Sequence, residues 1–294
     1  MRKQEGRFPF LFETLRLPDD KGPCLLLEKY KTYYAPSASA LFYLKVWPRP
    51  HRPAKDFLAF GAPVHEELGR SAVIMDGFAP DALREFYLDR SVALSPLPFS
   101  KTEILKVAAI FPPQDVDIYL GNQANESVLK KLSLEEYQIV HFACHGILDD
   151  KVPFRSALVL SPGDRQDEDG FLQVREIYNL RMAAELVVLS ACQTGNGCLE
   201  YGEGLIGLAR SFFQAGAHSV VSSIWAVNDR STASFMEDFY AGLARGEDKS
   251  SALRSAKLKV LNSPRAHPFY WASFVLNGDA APIRLEGHKD ERPN

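Results

Sequence analysis

Short runs rich in apolar residues recur along the chain, at residues 56–60, 116–120, 137–143, 157–160, 186–190, 219–225 and 271–276. Each is predicted to be a strand, and most lack the polar face of a strand that meets water. Between them lie stretches with helical spacing of apolar positions, at 101–111, 126–132, 173–180, 204–215, 229–243 and 251–261. Pro112 and Pro113 stop the first of these. A further helix is predicted over 38–46 with Ser37 as its N-cap, and residues 25–34 read as strand-like. Strand–helix–strand order predicts a mostly parallel sheet covered on both faces, a three-layer α/β/α sandwich. No linker rich in Pro, Gly or Ser divides the chain. Residues 1–55 are less regular and read as an N-terminal lobe of the same domain, 56–283 as its core, and 284–294 as a disordered tail.

Composition narrows the function classes. At 46% hydrophobic residues, the 294-residue chain has material for a large core. Lys+Arg 34 against Asp+Glu 37 gives a net charge of −3, which argues against a protein that holds nucleic acid by neutralising phosphates. Four cysteines do not make a disulfide scaffold and fit a reducing compartment, so a cytoplasmic location is expected. The run FPFLF near the N-terminus is too short for a signal-peptide core. No stretch approaches the ~18 apolar residues of a membrane span. There is no internal repeat.

In an open parallel sheet, ligands bind beyond the carboxyl ends of the strands. Two strand ends carry reactive groups. The run 137–143 leads into Cys144–His145–Gly146, and 186–190 leads into Ala191–Cys192–Gln193–Thr194–Gly195. If those strands are neighbours, His145 and Cys192 face each other. A thiol near pKa 8.5 is only a few per cent thiolate at neutral pH, and an adjacent imidazole can take its proton or stabilise the thiolate. The N–H groups of Gly146 and Cys192 are the expected oxyanion donors. Cys144, one residue from His145, should point the opposite way into the core.

Other patterns have plainer readings. His141 and His145 are four apart around Cys144, but the stretch reads as strand and no further ligands follow, so no metal site is expected. Gly202–Glu203–Gly204 with Gly207 matches G-x-G-x-x-G, yet it lies about a dozen residues after its strand. The glycines are read instead as allowing a helix to pack tightly on the sheet. The acidic segment 164–169 reads as a solvated loop, and Asp149, Asp150, Glu203 and Asp229 as acids that favour a basic or polar side chain in a cleft. No nucleophile elbow and no phosphate-binding Walker loop is present, and no cofactor is called for.

The stretches VHFACHG and VVLSACQTG resemble the His-Gly and Cys motifs of caspase-like (clan CD) cysteine peptidases, with 192 − 145 = 47 residues between the two side chains. The closer resemblance is to the CHAT domain, carried also by YAPSASAL at 34–41, SALVLSPGD at 156–164, YGEGLIGLARSFFQAGAHSVVSSIWAVND at 201–229 and HPFYWASFVLNGD at 267–279. That resemblance implies a caspase-like fold, with His145 as base and Cys192 as nucleophile. It also implies that Ser223, Ile224 and Trp225 line the substrate cleft. Two before the nucleophile, where metacaspases carry an acid and caspases a glutamine, stands Ser190, so neither an arginine nor an aspartate preference is inherited. CHAT domains usually carry more sequence before the stretch resembling PFLFETL, so the 1–55 lobe is expected to lack an early strand. The function implied is a cysteine endopeptidase acting on protein substrates, controlled by a sensor or tetratricopeptide-repeat partner. The alternative is a catalytically silent CHAT module that binds peptide segments.

Overall fold

A computed structural model of the chain describes residues 11–19, 22–46, 53–64, 94, 97–149, 151–163, 168–190, 192–193, 203–225 and 229–285. The first elements are a two-stranded antiparallel ribbon, β1 (Arg16–Leu17) with β2 (Cys24–Leu25), then α1 (Leu26–Lys29) and α2 (Ala38–Val46). There follow β3 (Lys55–Gly61), α3 (Ser100–Ala108), β4 (Val116–Leu120), α4 (Glu126–Leu129) and β5 (Tyr137–Ala143). A cluster of short elements comes next: β6 (His145–Ile147), β7 (Ala157–Val159), β8 (Phe171–Gln173) and α5 (Val174–Ile177). The chain then forms β9 (Leu186–Leu189), β10 (Cys192–Gln193), α6 (Glu203–Ala215), β11 (Ser219–Ser223), α7 (Asp229–Ala244), α8 (Lys249–Leu261) and β12 (Phe274–Gly278).

The main sheet has six strands in the order β12-β11-β9-β5-β3-β4, all parallel except β12. Its central strands place apolar side chains on both faces, and each face carries its own core. Phe57, Ile139, Val188 and Val221 point one way, towards Ile104, Phe235, Phe239 and Leu253 of α3, α7 and α8. Their neighbours Leu58, Val140, Val187 and Val220 point the other way, towards Leu129, Ile177, Leu208 and Phe212 of α4, α5 and α6. Two-residue periodicity thus produces the expected three layers with a mostly parallel central sheet. Ile283 and Leu285 also pack into the first cluster, so the packed chain reaches two residues past Ile283 into the stretch read as a loose tail. Among the described residues, no helix is long and apolar enough to cross a membrane.

Residues 25–34 are not one continuous strand: Leu25 ends β2, and the chain turns into α1 directly after it. Glu28 accepts the Leu25 N–H at 2.6 Å, which closes the single turn α1, and Leu27 is buried beside Trp271, Ala272 and Val275. Farther on, the segment is extended at Tyr34, which donates its N–H to Leu276 O and accepts from Gly278 N–H, both at 2.8 Å, and so covers the outer edge of β12. The Ser37 hydroxyl accepts the Ala40 N–H at 3.0 Å, the expected cap of α2. The C-terminus of α6 is held by Gly216 at φ +113°, where an added Cβ would meet Met182 O at 2.1 Å.

His141 is fully buried in the first core. Its Nδ1 lies 2.8 Å from the Tyr240 hydroxyl and its Nε2 lies 3.0 Å from Glu103 Oε1. Removing one member of such a network strands the others away from water. Tyr240→Phe is expected to cost about 1–3 kcal/mol, measured by urea denaturation; a change under about 0.5 kcal/mol would show that the network does not support the core.

Candidate active site

The site arises where two neighbouring strands leave the main sheet together. β5 and β9 run parallel, with Ile139 opposite Leu186 and Phe142 opposite Leu189. The Ser190 N–H donates to Phe142 O at 2.9 Å and extends that pairing. Past Cys144, β5 continues as β6; past Ser190 and Ala191, β9 continues as β10. Both continuations enter a second, four-stranded sheet in the order β10-β6-β7-β8. There they pair again in parallel, with Cys192 opposite His145 and Gln193 opposite Gly146. The structure therefore brings the backbones of His145 and Cys192 side by side, although they are distant in the chain. On its other side β6 pairs antiparallel with β7, which sets Gly146 between Gln193 and Leu158. Cys144 turns away and is buried in the second core, as alternation requires. His145 is itself enclosed, at 1% exposure.

The predicted cleft residues cluster at the same carboxyl edge. Ser190 follows Leu189, whose register partner is Ser222 on β11, and Ser223 comes next. Both Ser190 and Ser223 are buried, and Ser190 Oγ has no hydrogen-bond partner among the described residues. Beyond β11 the Ile224 N–H donates to Ser273 O at 2.9 Å. The Trp225 indole N–H donates to Phe269 O at 2.9 Å, and its ring stacks on Phe269 with centroids 6.4 Å apart. Phe269 thus fixes the Trp225 ring. Sequence reading did not single it out, although it lies in the HPFY run.

The acidic candidates divide. Glu203 opens α6. Asp229 opens α7, but its Oδ2 accepts the Phe99 N–H at 2.7 Å. Burial raises its pKa against the opposing pull of that N–H, and Glu103 adds to the rise. Asp149 Oδ1 accepts the N–H groups of Lys151 and Val152, both at 3.0 Å, and is buried. These two carboxylates are committed to backbone rather than to an open cleft. Gly207 faces Pro153, where an added Cβ would lie 3.0 Å from the proline Cβ. Gly207 therefore serves close packing of α6 on the turn Pro153–Arg155, while Gly202 lies outside the described residues.

Part of the acidic segment is not solvated. Asp169 is buried and accepts the Phe171 N–H at 2.8 Å. Glu126, Glu168 and Glu176 place carboxylate oxygens within 4.8 Å of one another, but the Lys130 ammonium bonds all three, Glu176 at 2.8 Å and Glu126 at 3.4 Å. A side-chain cation already occupies the place a metal ion would take. Burial, opposed by the Phe171 N–H and aided by Glu176, raises the Asp169 carboxyl from 3.8 to about 6. Between those values the folded state holds a proton that the unfolded state releases, so this group's contribution to stability falls as pH rises through that window. Asp169→Asn mimics the protonated form. It is expected to be more stable than wild type at pH 7 by about 1–3 kcal/mol, with the difference vanishing near pH 4. Urea denaturation across that range is the check, and a constant difference would contradict it.

Together these features define an α/β sandwich domain in which a small second sheet carries a histidine and a cysteine on adjacent strands. The chain belongs to the CHAT domain family, whose model matches residues 6–279. It is 28% identical over 247 residues to tetratricopeptide repeat protein 28 of Mus musculus, a match covering 71% of this chain and 9% of that protein. It is 37% identical over 109 residues to tetratricopeptide repeat protein 28 of Homo sapiens, covering 36% of this chain and 4% of that one. The matched stretch is thus less than a tenth of either relative. Among solved structures, the Saccharomyces cerevisiae separase–securin complex is similar at 15% identity, with TM-scores of 0.46 and 0.48 for its 3.0 and 2.6 ångström crystal structures. Those matches cover 88% and 87% of this chain and 14% of the other.

Proposed function

We propose that this CHAT domain is a caspase-like cysteine endopeptidase whose dyad is Cys192 and His145. The observation that carries the reading is the β10–β6 register, which sets Cys192 directly opposite His145. A peptide lies extended along the carboxyl edge, between the wall formed by Ile224 and Trp225 and the strand ends at Ser190 and Ser223, and pairs through its backbone. The His145 imidazole takes the thiol proton, and the Cys192 sulfur attacks the scissile carbonyl carbon. The carbonyl oxygen becomes an oxyanion, received by the N–H groups of Gly146 and Cys192. His145 then gives its proton to the leaving amine. Water, deprotonated by His145, attacks the thioester and releases the acid and the free thiol. A tetratricopeptide-repeat or sensor partner controls access, a reading supported by the naming of both curated relatives for such repeats. A cytoplasmic setting fits a mechanism that needs its thiol kept reduced.

A latent form of the same module is the second reading, favoured by the enclosure of His145 at 1% exposure. A thiol-directed peptidyl probe separates the two. Labelling at Cys192 that requires His145 supports the enzyme. Inert Cys192 across varied peptide scaffolds, with or without a repeat partner, supports the silent module.

A further inference from the structure

We propose that the outward face of α2 is a docking surface for an amphipathic helix that carries an acidic side chain. This rests on the reading above that a helical-repeat partner controls the domain, and not on turnover at Cys192. α2 has the sequence ASALFYLKV and buries none of its residues. At 100° per residue its half-buried positions Ala40, Leu41 and Leu44 fall on one side, towards the body of the domain. Ser39, Phe42, Tyr43 and Val46 fall on the other. Phe42 is 69% exposed, Val46 56% and Tyr43 52%. A helix that is apolar all round is normally enclosed, and contiguous exposed apolar surface marks an interaction site.

The chemistry beside this face indicates what covers it. A cavity of about 630 Å³ next to α2 is lined by Lys45, Lys31, Tyr33, Asp248, Ser250 and Asp279. The Lys31 ammonium is paired with Asp248 at 2.8 Å. Lys45, the one charged residue of α2, is exposed and forms no ion pair among the described residues. An unanswered cation at the border of an apolar stripe calls for a carboxylate at the border of the incoming stripe. A helix crossing α2 would set its own apolar ridge against Phe42 and Val46, one turn apart. A second copy fits poorly. Twofold pairing of α2 sets Lys45 either against another Lys45 or against the positive end of the partner helix, and nine residues span only about 14 Å. The length of the relatives points to a partner within a longer polypeptide, since a match of this kind accounts for only 9% of the mouse protein.

The test uses the full chain and, as probe, the tetratricopeptide-repeat region of the mouse relative produced as a separate protein, with binding followed by biolayer interferometry. Wild type is expected to bind. Phe42→Glu and Val46→Glu should each weaken binding at least tenfold. Lys45→Glu should weaken it chiefly at low salt. Leu105→Glu, at an exposed apolar position on α3, should leave it unchanged, with thermal unfolding of every variant close to wild type. Absence of binding, binding indifferent to the α2 variants, or self-association of wild type through α2 in sedimentation would each overturn the proposal. Loss of cleavage with α2-dependent binding intact would sink the catalytic reading alone.

Discussion

Cys192→Ala is expected to abolish peptide-bond cleavage, a loss of at least about a thousandfold in kcat/KM against any substrate the wild-type domain cleaves. On the proposed mechanism no thioester forms without the sulfur, and neither the backbone N–H groups nor the imidazole can replace it. His145→Ala should cost about a hundredfold to ten-thousandfold, because the thiol then attacks only in the small fraction that ionises by itself. The double variant should be no worse than Cys192→Ala, as the proposed dyad requires of two groups that act as one unit. A peptide-library cleavage profile with mass-spectrometric readout checks all three. Retained cleavage by Cys192→Ala would place the chemistry elsewhere in the molecule.

Lys257→Ala is expected to be strongly destabilising, by about 3–5 kcal/mol. The Lys257 ammonium lies 2.7 Å from Glu13 Oε1, and both side chains are almost wholly enclosed, at 2% and 1% exposure. The Tyr34 hydroxyl donates to Glu13 Oε2 at 2.8 Å. Burial alone would raise the Glu13 carboxyl, but the adjacent ammonium and the donated hydrogen bonds outweigh it and hold the pKa below the usual value. Deleting the lysine therefore leaves a buried carboxylate without its counter-ion between the N-terminal segment and α8, which must either stay charged in an apolar site or take up a proton. Lys257→Met combined with Glu13→Leu removes both charges and should recover most of the loss. Urea denaturation gives the energies, and amide exchange should show faster opening at residues 11–17 and 34. A single-variant cost below about 1 kcal/mol would mean that water already reaches the pair.

Much of this fold is legible because β5 and β9 carry apolar side chains on both faces, which leaves few alternatives to a covered parallel sheet. His145 and Cys192 are legible for the same reason, since each follows a long apolar run at the end where ligands bind. That the two runs are neighbours is not legible, because strand order is set by contacts far apart in sequence. The strands β6, β8 and β10, at two or three residues each, are too short for any periodicity to show. The stretch 25–34 misleads because Leu25, Leu26 and Leu27 suit a strand or a turn of helix, and only the Glu28 carboxylate decides. Buried polar partners are hidden for a simpler reason. Glu13 and Lys257 are separated by 244 positions, and each looks like an ordinary surface charge until the chain folds.

The register that sets Cys192 opposite His145 is tested most directly by the pH dependence of Cys192 alkylation by iodoacetamide, followed by peptide mass spectrometry in wild type and in His145→Ala. The dyad predicts a wild-type profile with its midpoint below the ~8.5 of an ordinary thiol, and a shift back towards that value when the imidazole is removed. Superimposable profiles in the two proteins would contradict it.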